Sequence, residues 1–157
     1  MTNTDNAENS APLPTLHVTA QYTKDLSFEN PGAPASLSPG SQPQIGIQIN
    51  VNAKPLGGAD FEVELKLEAR AESQGKLMFA VELLYAGLFK IQNIAPETVR
   101  PFVMIECPRM LFPFARQIVA DTVRNGGFPP LYIDPVDFVS LYRQRMAQQQ
   151  PGAVLAS

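Results

Sequence analysis

Apolar and polar residues alternate along two stretches of the chain, residues 44–52 and residues 61–71. In the second stretch the apolar positions are Phe61, Val63, Leu65, Leu67, Ala69 and Ala71, and the positions between them are all charged. This period of two is typical of a β-strand with one buried and one solvated face. Glycine residues follow each stretch and supply turns. The pattern therefore predicts two antiparallel strands that cover a core on one side.

Two further stretches, residues 17–28 and residues 77–91, also have the composition of strands. The later one is apolar on both faces, and Glu82 is its only acidic residue. Because the helices of so short a chain cover one face of a sheet, the other face of this strand needs a different cover. A second copy of the chain is the simplest candidate.

The last third of the chain has helical features. Pro96 opens a short segment that ends near Ile105, and Pro108 starts a longer helix that Gly126 ends. Pro113 lies inside this second segment, where it predicts a kink or a later start. We therefore expect two helices in this region.

A final helix is predicted to begin at Asp134 and Pro135, which supply a carboxylate cap and a proline at the first helical position, and to run to about Gln149. Strands grouped first and helices grouped last are typical of the α+β class. The expected fold is a four-stranded antiparallel sheet with helices packed on one face.

The ends of the chain differ from its middle. Residues 1–15 are polar and aperiodic and are predicted to form a disordered tail, and residues 149–157 a flexible C-terminal tail. One domain is expected between them, over residues 16–148. Within it, residues 30–43 contain four prolines and two glycines, which favour a long crossover loop.

Composition narrows the possible functions. Of 157 residues only 17% are charged and 45% are hydrophobic, and 12 basic against 15 acidic side chains leave a net charge of −3. A nucleic-acid-binding protein needs a surplus of Lys and Arg, so this class is excluded. One cysteine excludes a disulfide framework, and the ligands of a metal site are missing. Without a signal-peptide pattern or a membrane-length apolar run, a cytoplasmic protein with no stable membrane insertion is expected.

His17 and Cys107 are the only residues that suggest nucleophilic catalysis. Nothing in the sequence orients one toward the other, and cysteine is among the most often buried residues. A Cys-dependent enzyme is therefore the weakest interpretation, and no cofactor is expected.

Acidic residues dominate the first third of the chain. Residues 1–50 contain four acids and only one base, Lys24. Asp25 and Glu29 in this region are typical either of an acidic docking patch for a basic partner or of ordinary solubility, and the sequence pattern leaves both open.

Aromatic and aliphatic residues near the crossover loop and the helices suggest an apolar groove for extended segments of another polypeptide. The alternative for each of them is a place in the core. The candidates are Phe28, Ile45, Ile47, Phe112, Phe114, Phe128, Leu131, Tyr132, Phe138 and Tyr142.

Several motifs resemble those of the bacterial protein-export chaperone family SecB. Residues 22–31 (YTKDLSFENP) resemble its first strand, and residues 107–116 (CPRMLFPFAR) resemble its long helix. Residues 127–142 resemble its final loop and helix, and residues 79–91 look like its last strand.

This resemblance implies an ATP-independent holdase, not an enzyme, that binds unfolded preproteins in the cytoplasm and hands them to the SecA motor. It also implies a homotetramer, a dimer of dimers, with Phe79, Val81 and Leu83 at the subunit interface. Carried over by position, the SecA-docking face contains Asp25, Glu29 and Glu82. An adaptor that uses only this acidic face remains as an alternative.

The sequence departs from the family pattern at three places. The segment before the first-strand motif is longer than the family's usual offset requires. Ala80 stands near the acidic face where a bulkier apolar residue is common, which predicts somewhat weaker docking. The C-terminal residues 151–157 (PGAVLAS) carry no charge, whereas the family's tail is often acidic and aids SecA contact.

Overall fold

The computed structural model describes residues 12–38, 40 and 42–149. Its elements, in chain order, are β1 (Thr15–Glu29), a short 3-10 turn (Ala35–Leu37), β2 (Gln44–Gly57), β3 (Asp60–Ser73), β4 (Lys76–Gln92), α1 (Pro96–Asn125) and α2 (Phe138–Gln149). Of the predicted tails, residues 1–11 and 150–157 lie outside the described residues. Thr15, expected in the N-terminal tail, begins β1, and Gln149, expected in the C-terminal tail, ends α2.

The four strands form one antiparallel sheet in the order β1-β4-β3-β2. β2, β3 and β4 follow one another through tight turns, and β1 pairs with β4. The segment between β1 and β2 therefore has to carry the chain from one edge of the sheet to the other. Both helices follow the strands, and α1 packs on the sheet. The α+β prediction is confirmed.

The alternation along β3 decides which sheet face is buried. Val63, Leu65 and Leu67 are at most 1% exposed and lie under α1, on what we call the core face of the sheet. The charged residues between them point to the opposite side, which we call the outer face. One helix layer on one sheet face thus accounts for the core.

Helix α1 is one continuous helix of 30 residues, so the prediction of two helices is wrong. Pro101, Pro108 and Pro113 all lie inside it. The buried positions Val103, Cys107, Leu111, Ala115, Val119 and Val123 recur every four residues and continue past the prolines. A proline inside a helix costs about 3 kcal/mol. Burial of this continuous apolar stripe against the sheet offsets that cost. The stripe is stabilising only in the folded protein, where the sheet covers it.

Helix α2 begins at Phe138 rather than at Asp134 and Pro135. The carboxylate of Asp137 accepts hydrogen bonds from the backbone N–H of Ser140 (3.1 Å) and from its hydroxyl (2.8 Å). Asp137 is therefore the cap, and the predicted start was three residues too early. These hydrogen bonds, the backbone bond first, hold the pKa of Asp137 below its usual value.

The structure corrects the predicted interface residues of β4. Phe79, Val81 and Leu83 are 3%, 2% and 0% exposed within a single chain, because they belong to the core face that α1 covers. Their side chains are therefore not available to a second subunit. The residues that alternate with them, such as Ala80 and Leu84, lie on the outer face and are half-buried.

Candidate functional site: an apolar groove and an acidic sheet face

An open groove of about 820 Å³ lies where the crossover loop, the start of β4 and the loop after α1 meet. Its walls are mostly apolar. The larger apolar residues of the lining are Leu37, Pro43, Ile45, Leu77, Met78, Phe79, Phe128, Pro129, Pro130 and Leu131. A cleft with this lining can hold apolar segments of another molecule through burial of surface.

Asn30 fixes the crossover loop against the end of α1. Its side-chain amide donates a hydrogen bond of 3.1 Å to the carbonyl of Gly126, and the hydroxyl of Ser36 donates one of 2.6 Å to its Oδ1. Gly127 has a φ of +98°, and a side chain there would meet Leu37. A glycine is therefore needed both for the turn and for the approach of the loop. These contacts hold the two walls of the groove in place.

Aromatic rings form the floor of the groove. Phe79 stacks on Phe28 with a centroid distance of 6.1 Å and meets Phe128 at 4.9 Å. Phe79 is itself only 3% exposed, so the floor is continuous with the protein core. A cluster of this kind keeps its shape because its rings are packed on several sides.

The sequence-predicted groove residues separate into three groups. Ile45, Phe128 and Leu131 line the groove, and Phe28 supports its floor through Phe79. Ile47 lies two residues further along β2 on the same core face and is 39% exposed. The others do not line it.

The five remaining candidates lie outside the groove. Phe112 and Phe138 are buried and meet edge to face at 6.0 Å, so they belong to the core. Phe114 and Tyr132 are more than half exposed outside the groove, and Arg116 lies 5.6 Å above the Tyr132 ring. Tyr142, the last, is half-buried against the core.

Sequence reasoning missed the lining residues Leu37, Leu77 and Met78. Leu37 could have been found, because it is the only large apolar residue in the crossover loop of residues 30–43. Leu77 and Met78 carry no such signal, since their strand is apolar throughout.

The strand register brings Asp25, Glu29 and Glu82 to the outer face. Asp25 pairs with Leu84, Glu29 pairs with Ala80, and Glu82 pairs with Ser27, which lies between the two acids of β1. Among the described residues Asp25 and Glu29 have no ion-pair partner, whereas Glu82 lies 2.9 Å from Lys66. The three carboxylates therefore form one acidic patch on the outer face.

Lys24 lies within β1 immediately before Asp25, but its side chain contacts β3. Its ammonium lies 3.2 Å from Glu62 and 2.9 Å from Glu64, two carboxylates on β3. The hydroxyl of Tyr22 also donates a hydrogen bond to Glu62. Burial, followed by this carboxylate, raises the pKa of Tyr22 to about 12, and the Tyr22 hydroxyl in turn lowers the pKa of Glu62. The base next to Asp25 in sequence is thus paired with carboxylates of β3, and Asp25 has no ion-pair partner among the described residues.

Cys107 and His17 do not form a catalytic pair. Cys107 is 0% exposed, on the side of α1 that packs against the sheet. His17 is exposed on β1 and lies opposite Lys90 in the strand register, on the outer face of the sheet. Burial raises the pKa of the Cys107 thiol to about 12, so the reactive thiolate is suppressed at neutral pH. Within residues 12–149, as far as they are described, no three potential metal ligands come together. No described helix is long and apolar enough to cross a membrane.

Comparison with known proteins points to one family. The family model described as "Preprotein translocase subunit SecB" matches residues 8–149. The protein-export protein SecB of Afipia carboxidovorans is 64% identical over 144 residues, covering 91% of this chain and 89% of its own. That of Nitrobacter winogradskyi is 62% identical over 149 residues, covering 91% and 94%.

A solved structure shares the fold. It is a SecB-like chaperone of Mycobacterium tuberculosis in complex with a peptide from an antitoxin, with a TM-score of 0.59, 18% sequence identity, and coverage of 77% of this chain and 90% of that one. The sequence match spans nearly the whole chain, and the sheet and helices agree in arrangement. The chain belongs to the SecB family of protein-export proteins.

Proposed function

We propose that this protein is an ATP-independent holdase chaperone that binds unfolded preproteins in the cytoplasm and keeps them competent for translocation. The open apolar groove beneath the crossover loop carries this proposal, together with membership of the SecB family. Unfolded chains expose apolar segments that folded proteins bury. Each segment that enters the groove gains about 25 cal/mol per Å² of buried apolar surface.

Client binding through such contacts is broad in specificity. The groove presents leucine, isoleucine, proline and aromatic side chains, and burial of these surfaces has no directional requirement. Several weakly bound segments of one long client add up to tight binding when they are linked. The chaperone then binds slowly folding proteins in preference to fast ones, because slow folders expose such segments for longer.

The acidic patch of Asp25, Glu29 and Glu82 is the proposed docking surface for SecA, which receives the client. Its support is the convergence of three carboxylates on one sheet face with two of them unpaired among the described residues. Charge complementarity would steer a basic segment toward it. Because the patch and the groove lie on different surfaces, a client and SecA could be bound together.

A homotetramer, formed as a dimer of dimers, is the proposed assembly. Its support is apolar surface left uncovered on one chain: Met110 and Phe114 lie one helical turn apart on α1 and are 40% and 53% exposed. Side chains of this size are usually covered when they lie side by side. Sedimentation equilibrium of the full chain tests this, and a monomer at micromolar concentration would contradict it.

The decisive experiment is suppression of aggregation of a chemically denatured test protein, without ATP. We expect aggregation, followed by light scattering, to be suppressed at an equimolar ratio of tetramer to client. Failure at this ratio would favour the adaptor that uses only the acidic patch. Cys107→Ala serves as a control for the Cys-dependent enzyme, because the holdase activity should survive it.

A further inference from the structure

Lys66 lies between two carboxylates on the outer face. Glu68 on β3 and Glu82 on β4 are direct cross-strand partners, so their side chains point to the same side of the sheet. The ammonium of Lys66 is 3.1 Å from Glu68 and 2.9 Å from Glu82. Like charges directly opposite each other in a sheet repel. Lys66 therefore supplies the positive charge that this pair of carboxylates requires.

The arrangement is accessible from solvent. The side chains of Lys66, Glu68 and Glu82 are 40%, 34% and 45% exposed. An open depression lined in part by Gln48 and Asn50 adjoins Lys66 and Glu68. An ion pair exposed to this extent is weak and exchanges readily with other cations. Another ammonium or guanidinium can thus reach both carboxylates.

The Glu68–Glu82 pair is continuous with the acidic patch. Glu82 lies opposite Ser27, between Asp25 and Glu29 along β1. Yet the three acids of the patch differ, because only Glu82 has a cation of its own chain beside it among the described residues. A basic partner that binds Asp25 and Glu29 therefore finds the neighbouring carboxylate, Glu82, already paired with Lys66.

We propose that the Glu68–Glu82 pair binds a Lys or Arg side chain of the basic partner, and that Lys66 occupies this position in the free protein as an intramolecular competitor. The proposal rests on the proposed docking of a basic partner and extends the patch by Glu68. Binding then requires displacement of the Lys66 ammonium. Lys66 lowers the affinity of the patch for basic segments, and Glu68 raises it.

A heptalysine peptide titrated into the full chain by calorimetry at physiological salt tests the proposal. Lys66→Gln should bind the peptide about two- to fivefold more tightly than the wild type, the range that exposed ion pairs support. Lys90→Gln is the matched control, because it removes the same charge from the same sheet face. Lys90 lies eight residues along β4 from Glu82, about 27 Å. That distance exceeds the Debye length of about 8 Å at physiological salt.

A second pair of variants tests the opposite effect, a loss of affinity for heptalysine. Glu68→Gln should weaken heptalysine binding about two- to fivefold, while Glu72→Gln, from the same strand, should change it less. Lys66→Arg keeps the competing charge and should behave like the wild type. Equal affinities of Lys66→Gln and Lys90→Gln would overturn the proposal, as would equal affinities of Glu68→Gln and Glu72→Gln.

The same variants separate this proposal from the proposed function. Binding of purified SecA is measured beside binding of heptalysine. If SecA binds the Asp25→Lys, Glu29→Lys double variant as well as the wild type, the SecA-docking surface is wrong. The heptalysine comparison still decides whether Lys66 competes at the Glu68–Glu82 pair, because it does not depend on SecA.

Discussion

The ring of Phe79 on β4 lies 4.9 Å from the ring of Phe128, in the loop that follows α1. This contact joins the core of the protein to the floor of the groove. Phe79 lies almost wholly under the helix layer, whereas Phe128 is half-buried and faces the groove. The floor of the groove is therefore packed directly against the protein core.

Ile45 offers a direct test of client binding. It is 43% exposed at the groove, so Ile45→Asp should fold but place a charge against apolar client segments. We expect the affinity for an unfolded client to fall about tenfold, the loss expected for one buried aliphatic side chain. Leu56→Asp, at the other end of β2 and outside the groove, is the matched control and should bind like the wild type. Fluorescence anisotropy of a labelled unfolded protein measures both.

Reversal of charge at the acidic patch should separate docking from client binding. The Asp25→Lys, Glu29→Lys double variant is expected to lose SecA binding. Both carboxylates are exposed, and the two lysines that replace them would repel a basic segment of SecA. The variant's suppression of client aggregation should be unchanged. A variant with Glu97→Lys and Asp134→Lys carries the same change in net charge away from the sheet and should retain SecA binding. Loss of binding in both double variants would indicate a nonspecific charge effect.

Gly126 is required by space rather than by backbone conformation. Its φ is −76°, but a Cβ at this position would overlap the ring of Phe28. Gly126→Ala should therefore lower the free energy of unfolding by about 1–3 kcal/mol, as overpacking does. A Cβ added at Gly46 would have nothing within 4 Å. Gly46→Ala should therefore leave the free energy of unfolding unchanged or raise it slightly. Urea denaturation of the two variants gives the comparison, and equal stabilities would contradict the packing of Phe28 described above.

Asp137 should contribute a pH-dependent part of the stability. Its pKa is lowered in the folded protein by hydrogen bonds from Ser140. A carboxyl with a lowered folded-state pKa stabilises the fold above its unfolded-state pKa, about 4, and loses this contribution as the pH falls through the folded-state value. Asp137→Ala should therefore be less stable than the wild type at pH 7, and the difference should shrink below about pH 4.

Asp134→Ala is the control for the cap assignment, because helix α2 starts after it. Its stability should match that of the wild type across the same pH range, measured by urea denaturation. If Asp134→Ala were the destabilised variant instead, the helix would start where the sequence pattern first suggested.

Local patterns were sufficient for the strands and for the fold class. The alternation at residues 61–71 predicted the buried set of β3, because strict alternation allows only one face to be apolar. Pattern was not sufficient for β4, whose two faces are both apolar. Which face α1 covers depends on contacts between distant parts of the chain, so Phe79, Val81 and Leu83 were placed at an interface instead of in the core.

The acidic patch and the groove show the same division. Residue types and motifs indicated Asp25, Glu29, Ile45 and Leu131, since charge and apolar character can be read locally. Strand register decides that Glu82 lies opposite Ser27 and that Lys66 contacts Glu82. Helix packing decides that Phe112 and Phe138 are buried in the core. Pro108 and Pro113 likewise predicted an interruption of α1, and burial of its apolar stripe against the sheet outweighs the cost of these prolines. Periodicity and composition act within a few residues and suffice for elements, whereas side-chain burial and pairing are collective properties that arise only when those elements pack together.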